Sequence, residues 1–277
     1  MYLFTANETR IIDTMSIREG ISATRLMNRA ARAVFDLICK KYSRHKKNPI
    51  VILCGPGNNG GDGVILERLL RKEGWKTVIV KSPPTPLFQR GGIIVDALFG
   101  TGLSRPITGF YRKAIEWANK QNGVKVAVDI PSGLSADTGK PLGPCFKADI
   151  TITFGYPKIG FFSPEASSWI GELHVADIGL SKKAVEKVAG RKQKINLITR
   201  DDLAPVLLPR LANTHKGTYG HVMTIACSTG KIGAGILAAE GALRAGAGLS
   251  TLILPEKAFS RVDPEALEIM YEPMPGE

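Results

Sequence analysis

The chain lacks the marks of several large protein classes. No apolar run in its 277 residues reaches the roughly 18 that a membrane-crossing helix needs. The N-terminal stretch MYLFTANETRIIDT has no basic-then-apolar signal pattern, so cytoplasmic residence is the expectation. Cysteine is scarce. Cys39, Cys54, Cys145 and Cys227 are widely spaced and form no CxxC pair, which points to buried free thiols rather than disulfides or a metal cluster. The two common phosphate-loop signatures are missing too. No Gly-Lys-Ser/Thr ends a glycine loop, and no GxGxxG is followed by a ribose-binding acid.

What is present is a globular composition, 44% hydrophobic and 22% charged, with length for one large or two ordinary domains. The net charge of +12 is uneven: residues 1–200 are basic and residues 201–277 net acidic. A basic first half suits an anionic ligand or nucleic acid, but also a plain solvated surface.

The stretch GPGNNGGDG, Gly55 to Gly63, organises the rest. PIVILC before it is an apolar run of strand length. After it, Val64, Ile65, Leu66, Leu69 and Leu70 keep helical spacing. The five glycines are expected to supply positive φ and close approach to a ligand. The helix is expected from about Asp62, with its first amides free to donate to an anion. Asn58 and Asn59 add side-chain amides. Taken alone, Asp62 reads as an N-cap.

In chain order, residues 7–44 read as two amphipathic helices parted at Gly20, followed by a charged connector containing an exposed His45. KTVIV (76–80) is a second strand, with Lys81 at its end. IIVDALFGTGL (93–103) is a third strand running into a glycine turn. Residues 81–92 are too few for a helical crossover, and Pro83, Pro84 and Pro86 exclude a helix, so an extended loop is expected. A helix over 110–121 and strands in VKVAVDIPSGL (124–134), DITITF (149–154) and ELHVADIGL (172–180) follow. His174 reads as a structural histidine within the last of these. The alternation argues for an α/β, Rossmann-like, doubly wound and mainly parallel sheet. Lys-rich residues 181–200 read as a basic linker between a domain over 1–180 and a second over 201–277.

In such sheets ligands bind beyond the carboxyl ends of the strands. Three loops should meet there: Gly55–Gly63, Gly100–Pro106 and Pro131–Gly133. Asp96 and Asp129 close two of the strands. A buried carboxylate there wants a cation, a donor or a substrate, although each alone also reads as a turn cap.

The segments GPGNNGGDG, VDALFGTGLSRP and VDIPSGLSADTG resemble those of the NAD(P)H-hydrate epimerases, over residues 1 to about 180. The resemblance implies interconversion of the R and S forms of hydrated NADH and NADPH. It implies substrate binding at Asn58, Asn59, Gly60, Gly61, Asp62, Gly100, Thr101, Gly102, Leu103, Ser104, Arg105, Pro106 and Asp129, and a potassium ion on Asn59, Asp96 and Ser132. Lys81 is a further candidate for orienting the nucleotide. Asp129 is the first choice for general acid/base catalysis, and its loss is expected to lower turnover without unfolding the protein. Family members usually carry a further helix–strand unit where residues 81–92 stand.

The segment after Asn196, THKGTYGHVMTIACSTGKIGAGILAAEGALRAGAGL, resembles the opening of an ADP-dependent NAD(P)H-hydrate dehydratase. It implies an incomplete ribokinase-like segment, a substrate contact at Ala234, and ADP or ATP only for a complete dehydratase domain. His215 and His221 there read as core or turn histidines. Two alternatives stay open: a non-catalytic, RNA-associated scaffold of the same fold, and a defective truncated product. No membrane partner and no nucleic acid are expected. A homo-oligomer is compatible with the sequence.

Overall fold

The computed structural model describes residues 1–80, 92–190, 195–207, 209–260, 262 and 267–275. The chain divides into two units, Met1–Thr199 and Arg200–Glu277.

The first unit opens with α1 (Ala6–Arg18) and α2 (Ala23–Tyr42). Thr5 caps α1 through a reciprocal capping box with Glu8, and Ser22 caps α2. Then come β1 (Ile50–Cys54), α3 (Asn58–Lys72), β2 (Thr77–Val80), β3 (Ile93–Ala97), α4 (Gly109–Lys120), β4 (Val124–Val128) and β5 (Ile150–Phe154). The short α5 (Ser167–Ile170), β6 (Glu172–Ala176) and α6 (Lys182–Ala189) complete it.

The six strands form one parallel sheet in the order β2-β1-β3-β4-β5-β6. Strand periodicity sorts β1 between two cores. Ile50, Ile52 and Cys54 pack with α2 and α3, while Val51 and Leu53 pack with Ile115 and Ala118 of α4. The continuous apolar strands are what a sheet covered on both faces requires. β2 lies at one edge, with Val78 49% exposed.

Two expectations need correction. The segment read as a linker contains α6, whose Ala184 is buried and whose Val185, Val188 and Ala189 are buried in a cluster with Phe4 and Ile12. The unit boundary falls at Thr199, after that helix. The glycines of the organising stretch do not use positive φ at all. They allow backbones to touch. A Cβ on Gly55 would lie 1.8 Å from the Leu98 carbonyl oxygen, one on Gly60 1.9 Å from the Gly55 carbonyl oxygen, and one on Gly63 2.8 Å from Ala97.

The second unit holds α7 (Arg200–Leu203), β7 (His221–Ile225), α8 (Gly233–Arg244), β8 (Leu249–Pro255), α9 (Glu256–Phe259) and β9 (Met270–Met274). β7, β8 and β9 make a parallel sheet. Ala239, Leu252, Leu254, Ala258 and Ile269 form its small core. Ala234 is exposed in the first turn of α8. His221 meets the Thr251 hydroxyl at 2.7 Å, a structural contact.

The four cysteines are free, Cys54 and Cys145 buried, Cys39 and Cys227 half-buried. His174 pairs with Glu172 at 2.8 Å on β6. His45 is half-buried against Tyr42 rather than simply exposed.

The glycine contacts can be tested by thermal melting. Gly60→Ala drives a methyl into backbone, and overpacking of this kind costs about 1–3 kcal/mol or more. In a unit of this size that lowers Tm by about 2–4 °C per kcal/mol. Gly57→Ala meets nothing within 4 Å and is expected to leave Tm the same or slightly higher.

Candidate functional site

Three loops at the carboxyl ends of β1, β3 and β4 converge on a cavity of ≈ 540 Å³, within the usual size of a small-molecule site. Pro56, Gly57, Asn58, Asn59 and Asp62 form one wall, and Leu98 to Arg105 form another. Asp129, Phe154, Lys158 and Ile178 close the base, and Thr9, Arg10, Asp13, Met27 and Ala30 come from α1 and α2.

The start of α3 departs from the expectation. The helix begins at Asn58, with Gly57 as an N-cap that offers no side-chain bond. Its first amides are therefore left for a ligand. Asp62 stands in the second turn and is no cap. It is buried and faces the cavity, and burial pushes its carboxyl up to about 8, with Asp129 and Asp13 adding like-charge repulsion. Burial likewise raises Asp13 to about 6, with Asp129 adding to the rise and Lys158 opposing it.

Asp96 and Ser132 do not line the cavity but bond to Leu98 and Phe99, which do, and are essentially without exposure. Asp96 is within β3 rather than at its end. Its carboxylate accepts from the Ser132 amide at 2.7 Å, the Ser132 hydroxyl at 2.7 Å and the Leu98 amide at 3.1 Å. The same hydroxyl accepts from the Phe99 amide at 2.9 Å. Burial raises the Asp96 carboxyl to about 6, and these donors hold the rise in check. Asn59 lines the cavity and is buried, and its Nδ2 finds no partner among the described residues.

Asp129 follows β4 directly and carries φ 66, one of two non-glycine residues at positive φ among those described. Its backbone N–H donates to the Ile152 carbonyl at 2.7 Å. Its Oδ1 accepts from the Lys158 ammonium at 2.5 Å and from the Thr153 hydroxyl at 3.2 Å. Lys158 also donates to Thr153 at 2.6 Å and is 1% exposed. This pair changes the expectation for Asp129. Its removal strands a buried ammonium, which costs on the order of 3–5 kcal/mol, so Asp129→Ala is expected to lower Tm as well as to affect any role it has in the site.

The N-terminal segment fixes Lys158 from behind. Phe4 donates to the Pro157 carbonyl at 3.2 Å, and Ile159 donates to the Phe4 carbonyl at 3.1 Å. Leu3 donates to Ile195 at 3.0 Å, and the Ala6 amide donates to Asp137 at 2.6 Å.

The cavity thus gathers Asn58, Asn59, Asp62, Gly100 to Arg105 and Asp129. Gly60, Gly61, Pro106, Asp96 and Ser132 do not line it, and Ala234 belongs to the second unit. Lys81 lies outside the described residues, as does most of the expected extended loop. Sequence reasoning missed Lys158, Asp13 and Arg10. Lys158 had a signal: it follows the β5 run closely, inside the apolar stretch FGYPKIGFF.

Replacing Asp62 by Asn removes a buried carboxylate whose folded pKa lies above its unfolded one. Such a group binds more protons in the native state, so it weakens the fold increasingly as pH rises through the interval between the two values. Asp62→Asn is expected to raise Tm clearly at pH 8.5 and little at pH 4, as measured by melting at both.

Residues 23–92 and 81–160 match the family described as YjeF-related protein N-terminus. The bifunctional NAD(P)H-hydrate repair enzymes Nnr are similar. That of Moorella thermoacetica is 35% identical, covering 99% of this chain and 58% of the relative. That of Coxiella burnetii is 33% identical, covering 90% and 56%. That of Escherichia coli is 36% identical, covering 83% and 48%. The chain thus spans about half to three-fifths of the length of these relatives. The Moorella alignment runs over 311 residues, more than the 277 available here, so the relative holds residues with no counterpart in this chain. The two family matches overlap at 81–92, the short connection between β2 and β3. The crystal structure of yeast ynu0, YNL200c, shares the fold with a TM-score of 0.57 at 19% identity, covering 73% of this chain and 98% of that one. With its glycine-rich loop, its parallel sheet and these matches, this chain belongs to the family described as YjeF-related protein N-terminus.

Proposed function

We propose that the first unit interconverts the R and S epimers of hydrated NADH and NADPH. The observation that carries this reading is the Asp129 carboxylate, held at positive φ in a cavity that also exposes the uncapped start of α3. The free amides and Asn58 suit the dinucleotide's phosphates. The hydrated ring carbon adjoins the ring nitrogen, whose lone pair assists departure of the hydroxyl. Asp129 would act as an acid–base group as water leaves and returns.

Asn59, Asp96 and Ser132 would hold potassium. The donor set fits: a carboxylate, a hydroxyl and an amide are the oxygens a hard cation takes. A half-turn of the Asn59 amide exchanges its orphan Nδ2 for a carbonyl oxygen. When bound, the ion supplies charge that offsets buried Asp96 and steadies the loops above it.

The second unit is read as the opening of an ADP-dependent dehydratase domain, with Ala234 at its substrate side and ADP or ATP needed only by the complete domain. The substrate is a small molecule, and no helix among the described residues is long and apolar enough to cross a membrane.

Two measurements test these assignments. The paired change Asp129→Asn with Lys158→Met removes both charges at once and is expected to retain a cooperative melt while lowering epimer interconversion by ~10²–10⁴-fold. Activity within threefold of the parent would remove Asp129 from the chemistry. Potassium chloride in place of choline chloride is expected to raise Tm of the parent and not of Asp96→Asn, as ligand linkage requires.

A further inference from the structure

Three carboxylates face the cavity: Asp13 from α1, Asp62 from α3 and Asp129 from the end of β4. The cations facing it are Arg10, Arg105 and Lys158. Arg10 and Arg105 are exposed at the mouth, whereas Lys158 is buried and bonded to Asp129. Asp62, also buried, has no ion pair or hydrogen bond to a cation among the described residues.

The arrangement is asymmetric. One carboxylate lies 2.5 Å from a buried lysine, and the other is buried without a cation beside it. We propose that Asp62 and Asp129 share one proton across this cavity as an acid–base pair, and that Lys158 is the positioning residue that keeps the proton on Asp62 in the free protein. The inference rests on the epimerase reading for its chemistry but not for its protonation state. The upward displacement of the Asp62 carboxyl, to about 8, agrees with it.

The balance of the reaction calls for such a pair. Asp62 gives its proton to the hydroxyl on the ring carbon. The carbon–oxygen bond breaks, the ring nitrogen's lone pair forms the carbon–nitrogen double bond, and water leaves. Water then adds to the opposite face, a carbon–oxygen bond forms, and the electron pair returns to nitrogen. The released proton goes to Asp129. Asp62 ends ionised and Asp129 protonated, which is the starting state for the reverse conversion, so one proton serves both directions. Thr153, bonded to both Lys158 and Asp129, completes the cradle.

The test follows aspartate side-chain carboxyls by ¹³C NMR in the free protein, beside epimer interconversion. A carboxyl protonated at pH 7 that vanishes in Asp62→Asn is expected. That variant should lose ~10²–10⁴-fold in kcat with KM nearly unchanged. Lys158→Met should redistribute the proton and lower kcat, and Lys158→Arg should restore most of it. Should Lys158→Met not fold, Lys158→Met with Asp129→Asn removes the pair whole, and Asp62 then titrates lower because the charge opposing its ionisation is gone. Absence of the Asp62-dependent protonated signal, an unmoved Asp62 titration in the double variant, or kcat of Asp62→Asn within threefold of the parent overturns the inference. The expected NMR signals in a parent that interconverts no epimers leave proton sharing standing and remove the epimerase reading instead.

Discussion

A carboxylate with no exposure ties the working parts together. Asp96 sits inside a strand, yet it accepts from Leu98 on its own loop and twice from Ser132 on the next one. Ser132 in turn receives the Phe99 amide. Two loops that would otherwise move independently are thereby joined through one buried acid. The third is brought in without hydrogen bonds of this kind, by the bare backbones of Gly55 and Leu98 meeting where a side chain would intervene. Charge–dipole bonding and the omission of a Cβ are two different means to the same convergence. Together they set the shape in which Asn59, Asp62 and Asp129 face one another.

The site balances opposing demands on stability. Asp62, Asp13 and Asp96 all have carboxyls displaced upward by burial, and each makes the empty site less favourable at high pH. Asp129 is held at a strained φ and compensated by Lys158. Such local costs are characteristic of binding sites that must be ready before the ligand arrives, since preorganised charge does not have to be rearranged during the reaction.

Much of this was legible from residues alone. Apolar runs such as IVILC located the strands, because a sheet covered on both faces needs no alternation. Asp129 was legible because it ends such a run. Lys158 was not, since a lysine in sequence reads as solvated, and its burial is produced by Asp129, 29 residues earlier, and by the N-terminal segment. The helix Lys182–Ala189 was hidden by its lysines, although Ala184, Val185 and Val188 already keep helical spacing. The glycine stretch was recognised for its likeness but assigned the wrong freedom: close packing, not positive φ, is what excludes other residues there. Contacts between distant segments are what no local pattern encodes.

The pairing of Leu3 with Ile195, and of Leu197 with Met1, has a temporal consequence. The segment that backs Lys158 is made first, but its partner is made almost two hundred residues later. At ~5–20 residues per second, the N-terminal segment waits on the order of ten seconds or more for that partner during synthesis. The sheet can collapse in the meantime, since its strands succeed one another along the chain. The anchoring of the segment behind Lys158 is complete only when the two remote ends of the first unit have found each other, so it is a late, long-range event rather than a by-product of local folding.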